Sequence, residues 1–125
     1  MTLELLPMPF TVCQPAALRE VPFELPFCFF SRTDEELSLV CPTESVPENT
    51  AARDDGWRCF RIMGVLDFSL IGILAKISGI LAENGIPIFA CSTYNTDYIL
   101  IKADRLDCAM EVLETNGYIF RQPNQ

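Results

Sequence analysis

Two apolar stripes, each ended by an Asn-Gly pair, restrict what this chain can fold into more than any other feature. Ile73, Ile77, Ile80 and Leu81 recur at i, i+4, i+7 and i+8, and Leu106, Ala109, Met110 and Leu113 at i, i+3, i+4 and i+7. That is the period of an amphipathic helix. Asn84-Gly85 and Asn116-Gly117 follow the stripes, and a glycine that takes the left-handed conformation ends a helix. Asp104 is placed to cap the second helix. Short apolar runs at 59–66, 87–91, 98–102 and 118–120 read as strands. The order is therefore β-α-β-β-α-β. A helix with one apolar stripe must bury it, and two such helices cover one face of an antiparallel sheet. The predicted class is α+β with the ferredoxin-like split βαβ arrangement. Many unrelated functions share that order, so it does not by itself say what the chain does.

The first half is less regular. Residues 3–12 are apolar and contain Pro7 and Pro9, which suits an edge strand because proline donates nothing to a ladder. Pro15 could open a short helix that Pro22 closes. Residues 27–31 and 37–41 form a predicted hairpin around the polar turn 32–36. Residues 42–56, with two prolines and four acids, read as a linker. Residues 1–56 hold 3 basic and 10 acidic side chains, and 57–125 hold 6 and 7. This asymmetry suggests two parts, 1–56 and 57–125, the first with a solvated acidic face.

Composition excludes several functions. A net charge of −8 repels phosphate backbones, so nucleic acid is not an expected partner. Lys76 and Glu83 interrupt the longest apolar stretch, so no membrane span is expected. Six cysteines form no CxxC pair and there is no histidine, so neither a metal site nor a cofactor is expected. The N-terminus has no basic region ahead of its proline-broken apolar stretch, which is unlike a signal peptide. The expected location is cytoplasmic, with reduced, buried cysteines. No catalytic residues are assigned. There is no histidine base and no phosphate-binding glycine loop, Cys59 and Cys91 sit in apolar strands, and no spacing demands that Asp67 and Asp97 act as a pair. The chain reads as a non-enzyme.

Two places could hold a ligand. At the start of the first helix, Gly72 removes the Cβ barrier to backbone N–H groups at the positive end of the helix dipole. Close packing of helix on strand would also explain a glycine there, and the residues leave both readings open. The second place is the polar run Ser92-Thr93-Tyr94-Asn95-Thr96-Asp97, expected at the same end of the sheet. Asp97 could take an ammonium or guanidinium, and Thr93 could add a hydroxyl. Taken alone, these residues favour an ordinary turn in which Asp97 bonds locally.

Three runs carry a family resemblance: Asp67-Phe68-Ser69-Leu70-Ile71-Gly72-Ile73, Leu81-Ala82-Glu83-Asn84-Gly85-Ile86, and above all Ser92-Thr93-Tyr94-Asn95-Thr96-Asp97-Tyr98-Ile99-Leu100. They resemble the ACT domains of small tandem-ACT proteins, a likeness that extends to the cytosolic arginine sensors of the TOR pathway. Residues 1–56, through Phe29-Phe30-Ser31-Arg32-Thr33 and Leu37-Ser38-Leu39-Val40, are similar to a degenerate first ACT unit. The resemblance implies an amino acid bound between paired ACT units, a homodimer, and possible control of a partner enzyme. It implies that Gly72 and Ile73 hold the ligand backbone, that Thr93, Tyr94 and Asp97 contact it with Asn95 in the same run, and that Asp67, Phe68, Ser69, Leu70 and Ile71 close over it. Leu70 stands where the arginine-binding unit has an acid, so Leu70 and Ile71 suit an apolar ligand side chain better. The alternative is a ligand-free regulatory or assembly subunit that docks a partner protein.

Overall fold

The computed structural model describes residues 1–64 and 72–122. The backbone divides into two compact units, one of Met1–Pro7 with Arg58–Gln125 and the other of Met8–Trp57. The expected division between 56 and 57 falls inside a single strand, β5 (Thr50–Ile62), and residues 1–7 pack with the C-terminal unit.

In the C-terminal unit, β1 (Thr2–Leu5) runs antiparallel to β5, with Leu3 opposite Ile62 and Leu5 opposite Phe60. It runs parallel to β8 (Ile119–Arg121), with Thr2 opposite Ile119 and Glu4 opposite Arg121. On its other side β5 pairs with β7 (Asp97–Lys102), which forms a hairpin with β6 (Phe89–Ser92). The strand order is β8-β1-β5-β7-β6, a βαββαβ sheet with the N-terminal strand set between its first and last members.

The helices α1 (Ile73–Glu83) and α2 (Leu106–Thr115) form where the apolar stripes predict. Ile77, Leu81, Leu106, Ala109 and Leu113 pack in one core with Leu3, Leu5, Phe60, Ile62, Ile99 and Ile101. These strand residues alternate along their strands, so both helices cover one sheet face. Phe60 and Phe120 meet edge to face at 5.4 Å.

Both helices stop the same way. In α1, Gly85 is left-handed at φ 69°, its N–H donates to Ala82 O at 3.0 Å, and Ile86 N–H donates to Leu81 O at 2.9 Å. In α2, Gly117 (φ 95°) donates to Glu114 O and Tyr118 to Leu113 O, at 3.0 and 3.1 Å. These paired bonds satisfy carbonyls that a helix end would otherwise orphan. The first turn of α2 differs from expectation. Ala103–Arg105 make a 3-10 turn, Arg105 precedes α2, and no side chain caps it, so Asp104 is not the N-cap.

The second unit holds β2 (Phe10–Pro15), β3 (Phe29–Arg32), β4 (Leu37–Pro42) and residues 50–57 of β5, in the order β3-β4-β2-β5. The predicted hairpin is present, with Phe29 opposite Val40 and Arg32 opposite Leu37. Cys13, Val21, Leu39 and Cys41 form its buried centre, with Cys28, Phe30 and Val46 against them.

Three expectations are corrected here. The stretch 3–12 is two interior strands and not one edge strand, because Pro7 and Pro9 lie in the connection and remove no ladder bond. The helix expected after Pro15 is a single 3-10 turn, Leu18–Glu20. Part of the expected linker, from Thr50 onward, is strand paired with β2. A bulge opposite Thr11 admits one extra residue there, and Gly56 (φ 85°) supplies the left-handed backbone it needs. Asp55 in the bulge accepts from the buried Thr11 hydroxyl at 2.7 Å and pairs with Arg53 at 2.9 Å.

Candidate functional site

Hydrogen bonds locate the candidate groups at one end of the C-terminal unit's sheet. Met63 N–H donates to Thr2 O, Ile119 N–H to Met1 O, and Thr96 Oγ1–H to Ile62 O, at 3.0, 3.0 and 2.8 Å. The end of β5, the starts of β1 and β8, and the β6–β7 turn therefore lie together. Ten residues separate the end of β5 from the start of helix α1.

Gly72 precedes α1 with φ 80° and ψ 12°, and its carbonyl accepts the first helical bond, from Lys76 N–H at 2.8 Å. Among the described residues, a Cβ built on Gly72 would meet nothing within 4 Å. Its left-handed backbone favours glycine by itself. Among the described residues, no acceptor is bonded to the N–H groups of residues 73–75, and the first turn carries no acid. In an α-helix such N–H groups lie at the positive end of the dipole. Asp67, Phe68, Ser69, Leu70 and Ile71 lie outside the described residues.

The β6–β7 turn is largely satisfied by its own bonds. Thr93 N–H donates to Thr96 O at 2.8 Å, and Thr93 Oγ1 donates to the same carbonyl at 3.0 Å while accepting from Thr96 N–H at 3.3 Å. Asp97 Oδ1 accepts from the Ser92 hydroxyl. Among the described residues the other Asp97 oxygen has no donor. Tyr94 is 81 % exposed, and Asn95 is exposed beside it. The fold brings Gly72, Ile73, Thr93 and Asp97 to one end of the sheet. No direct bond joins the helix start to the turn among the described residues.

Sequence reasoning missed two features. The first is a cavity of about 270 Å³ lined by Met1, Ile73, Lys76, Asn116, Gly117 and Tyr118. Ile73 was named as a site residue, and Lys76 follows Gly72 at i+4 on the same helix face. That spacing was a usable signal. Tyr118 and Met1 arrive only through tertiary pairing. The second is a polar network on the sheet face away from the helices. Glu4, 5 % exposed, binds Arg61 through Nε and Nη2 at 2.8 and 2.7 Å, and Arg121 at 3.6 Å. Arg61 also donates to Tyr98 Oη at 3.2 Å. Burial works to release the Arg61 proton, but the bonds with Tyr98 and Glu4 outweigh it and its pKa is raised. The signal was a charge inside each apolar strand, Leu3-Glu4-Leu5 and Phe60-Arg61-Ile62. The role of this network is to bind strands together.

The thiols are ill suited to chemistry. Burial pushes Cys59 and Cys41 to about 12 and Cys91 to about 11. No cluster of side chains among the described residues could hold a metal ion. No helix among them is long and apolar enough to cross a membrane.

Known proteins resemble the chain in sequence and in fold. Similar curated proteins include cytosolic arginine sensor for mTORC1 subunit 1 of Homo sapiens, 33% identical over 100 residues, and of Rattus norvegicus, 32% identical over 97. The alignments cover 74% and 72% of this chain but 30% and 29% of those proteins, so the chain spans under a third of their length. Among solved structures, protein Atu0741 of Agrobacterium tumefaciens superposes with a TM-score of 0.84 at 28% identity, over 99% of this chain and 94% of that one. The aspartokinase alpha and beta subunits share the fold, with a TM-score of 0.62 at 16% identity over 92% of this chain and 96% of that one. Residues 52–115, just over half of the sequence, match the profile of the ACT domain, and they take in the whole stretch from the end of β5 through α2. The chain belongs to the ACT domain family.

Proposed function

We propose that this chain is a non-enzymatic, cytoplasmic amino-acid-binding regulator. The ligand carboxylate sits on the N–H groups that follow Gly72, with Ile73 beside it. Thr93, Tyr94, Asn95 and Asp97 face it from the β6–β7 turn, and Asp67, Phe68, Ser69, Leu70 and Ile71 close over it. A second copy of the chain completes the pocket, and the occupied homodimer acts on a partner protein. The observation that carries this reading is the open helix start. Gly72 is left-handed, and among the described residues nothing lies where its Cβ would stand and no side chain caps the first turn of α1. An oriented row of N–H groups of this kind suits an anion. Family membership and the arginine-sensor relatives favour an amino acid as the source of that anion. Ligand binding would stabilise one arrangement of the pair, which is how such a domain passes a signal.

Residues 8–57 read as an incomplete ACT-like unit. They keep a four-stranded order, a single 3-10 turn at Leu18–Glu20 stands where a first helix would be, and no second helix follows the 3-10 turn at Thr43–Ser45.

One observation favours the second reading, a ligand-free subunit that docks a partner protein. Thr93 and one Asp97 oxygen are already engaged within the turn. Thermal shift with the twenty amino acids, on the wild type and on Thr93→Ala and Asp97→Ala, separates the two. Binding at 100 times the dissociation constant adds about 2.7 kcal/mol of stability. A rise in Tm with particular amino acids, reduced in both variants, supports sensing. No shift at millimolar concentration with any of them supports docking.

A further inference from the structure

A groove of about 370 Å³ lies wholly within the second unit. Met8, Leu25, Pro26, Phe27 and Pro42 give it apolar walls, and among the described residues Glu44 is its one ionisable lining residue. Leu25, Pro26 and Glu44 are exposed and Met8 and Phe27 half-buried, so the groove is open. A small molecule would keep much of its surface in water there, whereas ligand pockets bury most of it. Side chains of an extended segment suit such a groove better. Phe23 and Leu25, two positions apart, are 58% and 43% exposed. Large apolar side chains left in water beside an apolar groove mark an interaction surface. Phe27 has φ 62°, the one positive value at a non-glycine residue among those described, and its ring meets the buried Phe10 edge to face at 6.3 Å. A left-handed backbone costs such a residue free energy, and strain of this kind concentrates at binding sites. The charge of this unit is mostly of one sign. Residues 8–57 hold 9 acids and 3 cations. Glu44 lines the groove and Glu24 adjoins Leu25, whereas Arg19, Arg32 and Arg53 are absent from the lining, and Arg53 is paired with Asp55 at 2.9 Å. Residues 65–71 and 123–125 contain no lysine or arginine.

We infer that this groove docks a segment of a partner protein in which an apolar side chain is flanked by lysine or arginine. The apolar side chain enters between Met8, Phe27 and Pro42, and the cation meets Glu44 at the rim. The chain's net charge of −8 disfavours two other occupants. A second copy would bring like charge to the groove, and an anionic lipid surface would be repelled by it. The inference rests on the partner-protein part of the proposed function and needs no bound amino acid.

Panning a random dodecapeptide phage library against the immobilised 125-residue protein, with no amino acid present, tests this. Enriched peptides should carry an apolar residue next to lysine or arginine, and their binding should weaken as salt is added. Synthetic copies of those peptides, followed by fluorescence anisotropy, should bind Leu25→Asp at least tenfold and Glu44→Lys severalfold more weakly than the wild type. Both positions are exposed, so both variants should keep the fold, as far-UV circular dichroism will show. No enrichment, enriched peptides without basic residues, or affinity unchanged in Glu44→Lys overturns the inference. So does a wild-type dimer in sedimentation equilibrium that Leu25→Asp converts to a monomer, which would assign the groove to a second copy. None of these results alters the thermal shift with amino acids, so failure here and failure of amino-acid binding are told apart.

Discussion

Residues 29–45 and 89–105 are built alike, 60 positions apart. Strand β3 starts at 29 and β6 at 89, β4 runs 37–42 and β7 97–102, and 3-10 turns follow at 43–45 and 103–105. A threonine organises each hairpin turn. Thr33 N–H donates to Glu36 O at 3.0 Å while Thr33 Oγ1 accepts from Glu35 and Glu36 N–H, and Thr93 binds Thr96 in the same manner. The two segments then part. After Arg105 the chain continues as α2, whereas after Ser45 come Val46 and Pro47 and then β5. Proline removes a helical N–H and clashes with the preceding turn, and no apolar stripe follows it. The strand order therefore depends on hairpins and registers and survives the reduction of helices to single turns. A helix start that offers free N–H groups needs a full helix, and among the described residues only the C-terminal unit has one after a left-handed glycine. The proposed ligand site is accordingly in that unit.

If the helices dominate the stability of the C-terminal unit, the two cores should respond unequally. Leu81→Ala, which empties a fully buried position between α1 and the sheet, should cost about 3 kcal/mol by urea denaturation. Val21→Ala in the smaller core should cost about 1 to 2 kcal/mol. Equal costs would break the contrast.

The buried thiols should respond equally. Burial raises Cys41 in one unit and Cys59 in the other from an ordinary 9.0 to about 12. Above pH 9 the unfolded chain loses protons that the folded chain keeps, so stability is full below pH 9 and falls as pH rises toward 12. Each thiol should account for about 1.4 kcal/mol of the loss at pH 10. Cys41→Ala and Cys59→Ala should each flatten the alkaline slope, measured as stability against pH, by a similar amount. The smallest expected effects are those of Thr33→Ala and Thr93→Ala, about 1 kcal/mol each in the same denaturation experiment. A Thr93 effect near zero would mean that its bonds are not holding the turn, and would sharpen the case that its hydroxyl serves a ligand.

Most of the C-terminal unit was legible because its signals are local. The 3.6-residue stripe and Asn-Gly stop of each helix sit within about a dozen residues. What was not legible depended on partners far along the chain. Residues 50–57 look like a linker because residues 51–56 are all exposed, and the backbone ladder to β2 leaves no trace in composition. Strand β1 is interior only because β8 comes back beside it after more than a hundred residues. Asp104 has the chemistry of a cap, yet the 3-10 turn places Arg105 at that position. At the site, Gly72 and Thr93 were visible as residue types with special backbone or turn roles. Lys76 was visible only through its i+4 spacing from Gly72. Asn116 and Tyr118 join it only because α2 ends where α1 begins.

The most direct test is a two-dimensional amide NMR titration of the labelled chain with each amino acid that raises its Tm. The expected result is saturable shifts concentrated at residues 72–76 and 92–97, with the second unit's turn at 33–36 unmoved. Shifts scattered over both hairpin turns, or confined to residues 8–57, would contradict a ligand site at the start of α1.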